Sequence, residues 1–179
     1  MRMIGAAAFL GVLAGWASAE GAERDWAHKD WRAEMRGEVC SIHTGGDAEG
    51  SFRLEFDRGG FNAEAIYHPL WYRSEPQPLD FDDGFEILID GEAIWLGDEL
   101  SVYVGADEYG DYFRAAALTS GFVQELATAL RAGGRIGFVV LRAGREPALY
   151  DELSLSGFTA NFLKAAEWCG FNPDALPAS

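Results

Sequence analysis

The residues of this 179-residue chain whose types and spacing could do chemistry are two groups of carboxylates, one aromatic stretch and a pair of cysteines. Asp80, Asp82 and Asp83 stand before Gly84, and Asp107, Glu108 and Asp111 occupy a glycine-bounded loop. Either group offers oxygen ligands to calcium, yet neither follows the loop spacing of a helix-loop-helix site, so both read first as solvated acidic loops. Paired carboxylates also serve glycoside hydrolysis when two of them face one sugar cleft. Spacing along a chain does not show such a pairing.

The stretch IYHPLWYRSEPQP sets Tyr67, Trp71 and Tyr72 beside His68 and Arg73. Exposed aromatic rings hold peptides and sugars, and an arginine among them meets a carboxylate, so these five residues are the candidate ligand contacts. The alternative is that Tyr67 and Trp71 plug the end of a sheet. His28, His43 and His68 lack paired metal-ligand spacing. The chain carries no nucleophile elbow, no phosphate-cradling loop and no dinucleotide fingerprint, because Gly133-Gly134 follows a helical pattern and reads as a helix stop. The expectation is a binding protein with no catalytic residue and no cofactor.

The compartment follows from the start of the chain. MRMIGAAAFLGVLAGWASA has a short basic start at Arg2, an apolar run and a small-x-small ending at Ala17-Ser18-Ala19, which reads as a secretory signal peptide cleaved after Ala19. The apolar run is too short for a spanning helix, so no stable membrane insertion is expected after cleavage. Loss of Arg2 takes the formal charge from −15 to −16. That excess repels nucleic acid and anionic lipid, and leaves an unidentified, preferentially cationic protein or peptide as the expected partner. Only Lys29 and Lys164 are lysines in a chain rich in Ala, Gly and Arg, a bias that suits a GC-rich bacterial genome. In the oxidising periplasm or outside the cell, Cys40 and Cys169 are expected to pair.

These groups must be positioned by a single domain over 31–179, preceded by a flexible polar arm over 20–30. WRAEMRGEVCSI reads as one bent strand interrupted at Gly37, and SFRLEFD with FNAEAIYH as a hairpin that turns Phe52, Leu54 and Phe56 inward and Arg53 and Glu55 outward. A long loop spans Pro69 to Asp83. FEILI and EAIWL flank Asp90-Gly91, a tight-turn dipeptide, and further strands follow at ELSVYVG and YFRAAAL. A helix capped by Ser120 ends at Gly133-Gly134. RIGFVVLR reads as a central strand covered on both faces, and ALYDELSL leads into a last helix capped by Ser156. On that helix Phe158, Phe162, Ala165 and Cys169 share one stripe, while Lys164 and Glu167 face outward. The plan is α+β: a curved antiparallel sheet or sandwich of about eight strands with two helices near the C-terminal end.

The segment LSLSGFTANFLKAAEWC, preceded by a helix ending LRAGGRIGFVVLR, resembles the closing segment of the invasion-associated locus B family and related small exported proteins of alphaproteobacteria. Leu155, Ser156, Gly157 and Phe158 carry the likeness, which covers roughly Ser120 to Cys169. The resemblance implies an extracytoplasmic setting and a β-rich build.

Overall fold

Alternation of period two runs through most of the chain, and in the structure, a computed structural model, it produces two antiparallel sheets. The structure describes residues 23–46, 48–72, 75–94, 100–106, 112–119 and 121–177. The expected signal segment 1–19, together with Arg73, Asp107, Glu108, Asp111 and Ser120, lies outside them. Strands β1 (Arg24–His28), β2 (Trp31–Arg36), β3 (Val39–Gly45), β4 (Ser51–Asp57) and β5 (Glu64–His68) form a meander. A 3-10 turn at Arg58–Gly60 lies between the last two. Strands β6 (Gly84–Ile89) and β7 (Glu92–Ile94) make the Asp90-Gly91 hairpin, and β8 (Ser101–Ala106) pairs with β9 (Tyr112–Thr119). Helix α1 (Val123–Ala132), strands β10 (Arg135–Leu141) and β11 (Ala148–Ser154), and helix α2 (Phe158–Cys169) complete the order. The large sheet runs β1-β2-β3-β4-β5-β9-β8 and the small one β11-β10-β6-β7. Each strand pairs antiparallel with its neighbours. The α+β architecture is the one the sequence implies.

The core lies between the sheets. Phe52 and Tyr67 from the large sheet meet Phe138 from the small one, in a single cluster with Trp31, Ile42, Leu54, Phe56, Ile87, Ile136 and Val140. Tyr67 stacks on Phe138 with ring centroids 3.9 Å apart. Helix α2 lies beside the small sheet on β1–β3, where Phe158 meets Trp31 edge-on at 4.9 Å and Phe162 meets Phe56 at 5.8 Å. Its stripe of Phe158, Phe162, Ala165 and Cys169 is buried, as the spacing implies, and Lys164 pairs with Glu167 at 2.6 Å on the outside. Cys40 on β3 and Cys169 at the end of α2 form a disulfide with Cα atoms 6.1 Å apart, 129 residues apart in sequence.

Several expectations are corrected. The segment read as a flexible arm contains β1, a strand in register with β2 from Arg24 opposite Met35 to His28 opposite Trp31. Its polar composition suits an edge strand that keeps little apolar surface. WRAEMRGEVCSI is two strands, because Gly37 takes a φ of 63° and turns the chain where a bulge was expected. These two differences account for much of the rise from about eight strands to eleven among the described residues. Ser156 does not cap α2. Gly157 stands at the cap with a φ of 102° and no side-chain cap bond, and a Cβ there would overlap the His28 carbonyl oxygen. Asn161 Nδ2 donates to that carbonyl and to the Gly157 carbonyl, tying α2 to β1. Strand β10 is interior to its sheet and buried from Ile136 to Val140, the covering on both faces that its pattern implies. Leu88 and Leu149 close over Gly137 within the sheet.

The disulfide yields the first prediction. Peptide mapping of the non-reduced protein will show Cys40 joined to Cys169 within one chain, and Cys169→Ser will lose about 2–5 kcal/mol in urea denaturation. An unchanged denaturation midpoint would show that the bond contributes nothing beyond what packing of α2 already supplies.

Candidate binding groove

Inward-facing residues of β2–β5 alternate with a second set that faces away from the core. Across β2, β3, β4 and β5, the register sets Glu34 opposite Ser41, Ser41 opposite Glu55, and Glu55 opposite Glu64. The neighbouring row runs Arg32, His43, Arg53, Ile66, and beyond it Gly45 opposes Ser51 and Ser51 opposes His68. The curved sheet makes this face a groove of about 470 Å³, lined among others by Glu34, Ser41, His43, Arg53, Glu55 and His68. Beside it, Tyr103 of β8 packs on Ile66, Ala115 and Ala117.

Charges in this face are largely matched. Arg32 and Arg36 each lie 3.2 Å from Glu34, and Arg53 Nε lies 3.3 Å from Glu55. That Nε is buried without a hydrogen bond of good alignment, and the Arg53 guanidinium also bonds the Tyr103 hydroxyl. Partial burial pushes every shifted group here toward its uncharged form. The His68 imidazole is pushed down to about 4, by burial first and by the Arg53 charge second. His43 is lowered chiefly by burial, Glu64 is raised by burial and by the facing Glu55, and the Tyr103 hydroxyl is raised chiefly by burial. An outer sheet face is ordinarily well hydrated; this one is partly dried by its own concavity.

The five residues expected to share a contact surface are distributed differently. Tyr67 is 1 % exposed in the core and its hydroxyl donates to Asp151, which also accepts Gly50 N–H at 3.2 Å. Next to it, His68 faces the groove, because neighbours on a strand point to opposite faces. Trp71 and Tyr72 lie in the loop after β5, where Trp71 Nε1 donates to the Glu75 carbonyl at 2.9 Å and Tyr72 is exposed. Arg73 falls outside the described residues.

The first acidic group serves its loop. Arg142 holds Asp83 with Nε to Oδ1 at 2.7 Å, Asp80 N–H donates to Asp83 Oδ2 at 2.7 Å, and the Arg142 guanidinium holds the Asp83 carboxyl below its ordinary range. Asp80 Oδ1 accepts Phe81 N–H and lies 3.5 Å from Arg114, and Asp82 is exposed. Among the described residues no group of three His, Cys, Asp or Glu is placed to hold a metal ion. Asp107, Glu108 and Asp111 lie outside them.

No protein-family model matches the chain, and no curated protein matches it. Among solved structures it is similar to the crystal structure of invasion associated protein B from Bartonella henselae, at 12% identity and a TM-score of 0.56, over 80% of this chain and 96% of that one. The two chains share a fold. Among the described residues no helix is long and apolar enough to cross a membrane.

Of the groove residues, only His68 was read as a candidate contact, and Arg53 and Glu55 as outward-facing charges. The available signal was parity: His43, Arg53, Glu55, Glu64 and His68 each stand one position from a buried residue of the same strand. The His68 ring will titrate near pH 4 by NMR. The unfolded ring binds its proton near its ordinary value of 6.5 and the folded one near 4, so the unfolded state holds more protons between them. Stability therefore falls as the pH drops through that window, by at most on the order of 3 kcal/mol because the ring is partly exposed to solvent. Denaturation of wild type and His68→Gln at pH 7 and pH 4.5 checks this; equal losses in both would assign the acid sensitivity to other groups.

Proposed function

We propose that the chain is an exported, non-enzymatic binding protein of the bacterial envelope, periplasmic or secreted, and that the outer groove of its large sheet is the ligand surface. The observation that carries this reading is the groove itself: a concave sheet face on which polar groups converge and partly lose their water. The leader-like start, the disulfide and a fold shared with invasion associated protein B from Bartonella henselae support the extracytoplasmic setting.

One observation favours a second reading, hydrolysis by paired carboxylates. Glu55 and Glu64 face each other across β4 and β5, and Glu64 is biased toward its protonated form while Glu55 is paired with Arg53. Two facing carboxyl groups, one of them biased toward its acid form, are what glycoside hydrolysis uses. Turnover that disappears in Glu64→Gln while ligand binding persists would favour it over pure binding.

The test of the main reading is site-specific. Mature protein from the envelope fraction will begin at Glu20. A photo-cross-linking residue at Ser41, inside the groove, will give a discrete adduct in cells, while the same residue at Leu163, exposed on α2, will not. Equal labelling from both positions, or none from Ser41, would overturn the assignment.

A further inference from the structure

The chemistry of the groove floor indicates what it binds, on the reading that the groove is the ligand surface. The chain carries a formal charge of −15, yet the groove face holds Arg32, Arg36 and Arg53 against Asp25, Glu34, Glu55 and Glu64, so it is close to neutral. The charges are engaged with one another: Arg32 with Asp25 and Glu34, Arg36 with Glu34, Arg53 with Glu55. An anionic ligand would have to take an arginine from its carboxylate. A cationic one would have to take a carboxylate from its arginine. Either exchange replaces an existing pair and gains little.

Carboxylate, hydroxyl, imidazole and guanidinium groups are interspersed on this lattice. Across the strands, about 4.8 Å apart, carboxylate oxygens of Glu34 and Glu55 flank the Ser41 hydroxyl, and the Arg53 guanidinium stands beside the His43 imidazole. Along the strands, acidic and basic rows follow each other, with Ser51 and His68 at the far end. A ligand that bears one charge meets only one of these positions. A ligand with a hydroxyl, both donor and acceptor, on nearly every carbon meets many of them, and every ion pair stays intact. The half-buried ring of Tyr103, packed over the buried Ile66, gives an apolar border for the C–H face of a sugar ring.

We infer that the groove takes an uncharged polyhydroxylated ligand, an oligosaccharide lying across β2–β5, in preference to a charged peptide or an ion. Burial bias at His43, Glu64 and His68 points the same way, since each group is displaced toward its neutral form.

The experiment titrates isotope-labelled mature protein with cellotetraose, maltotetraose and chitotetraose, and in parallel with a hyaluronan tetrasaccharide, a chitosan tetramer and a tetralysine peptide, following backbone amide shifts. The expected result is binding of at least one neutral tetrasaccharide with a dissociation constant of about 1 mM or tighter, with shifts confined to β2–β5 and β8. Arg53→Ala will weaken it about tenfold or more. Ser41→Trp, which fills the groove and leaves the ion pairs in place, will abolish it; an unchanged denaturation midpoint verifies that each variant is folded. Binding of the charged probes alone, shifts elsewhere, or no shift with any neutral sugar at about 10 mM would overturn the inference. If Ser41 still cross-links a discrete ligand in cells after such a failure, the ligand class falls and the binding function stands; loss of both removes both.

Discussion

Seven strands present a wider apolar face than four opposing strands can cover, and everything else in this structure answers that mismatch. The small sheet covers the part of the large sheet bearing Phe52 and Tyr67, through Phe138. The strip over β1–β3, with Trp31 and Phe56, is left to α2, whose phenylalanines fill it edge-on. Such burial is the dominant favourable contribution in a domain of this size, and a helix occupying a sheet's place must be held at a fixed height and angle to supply it. Three ties do so: Gly157 admits the His28 carbonyl at close range, Asn161 bonds that carbonyl, and the disulfide fixes the far end. The inner face is sealed in this way, and the outer face of the same strands is free to be polar.

The chain's elements were readable to the extent that they rest on local pattern. The hairpin at Asp90-Gly91, with a φ of 52° and 83° at the two residues, and the buried stripe of α2 follow from turn chemistry and helical period alone. The pairing of Cys40 with Cys169 followed from compartment and the inward position of one sulfur. The failures share a cause: each depended on a neighbour distant in sequence. Strand β1 has little hydrophobic pattern of its own and exists because β2 offers it a partner. Ser156 looks like a cap until the His28 carbonyl, far back in the chain, places Gly157 there instead. The groove was the least legible feature, since it draws alternate residues from four strands whose mutual register no local pattern reveals.

The distribution of charge follows the same division. Buried acidic groups are neutralised in place, as with Asp83 under Arg142, and that pair together with Arg114 on the Leu79 carbonyl holds the proline-rich crossing between the sheets against the body. The groove balances its ions internally. The net negative charge of the chain is therefore carried by the remaining surface, where it repels like-charged polymers.

The order of these elements along the chain has a consequence for how the molecule is made. The meander of β1 to β5 consists of consecutive hairpins, and such local pairings close quickly. The helix that shields Trp31 and Phe56 comes last among the described elements, long after the meander, so a chain not yet extended to it displays an aromatic strip on an already formed sheet. Copies that lack the helix are thereby sticky substrates for holdase chaperones and proteases, and docking of the helix removes the mark.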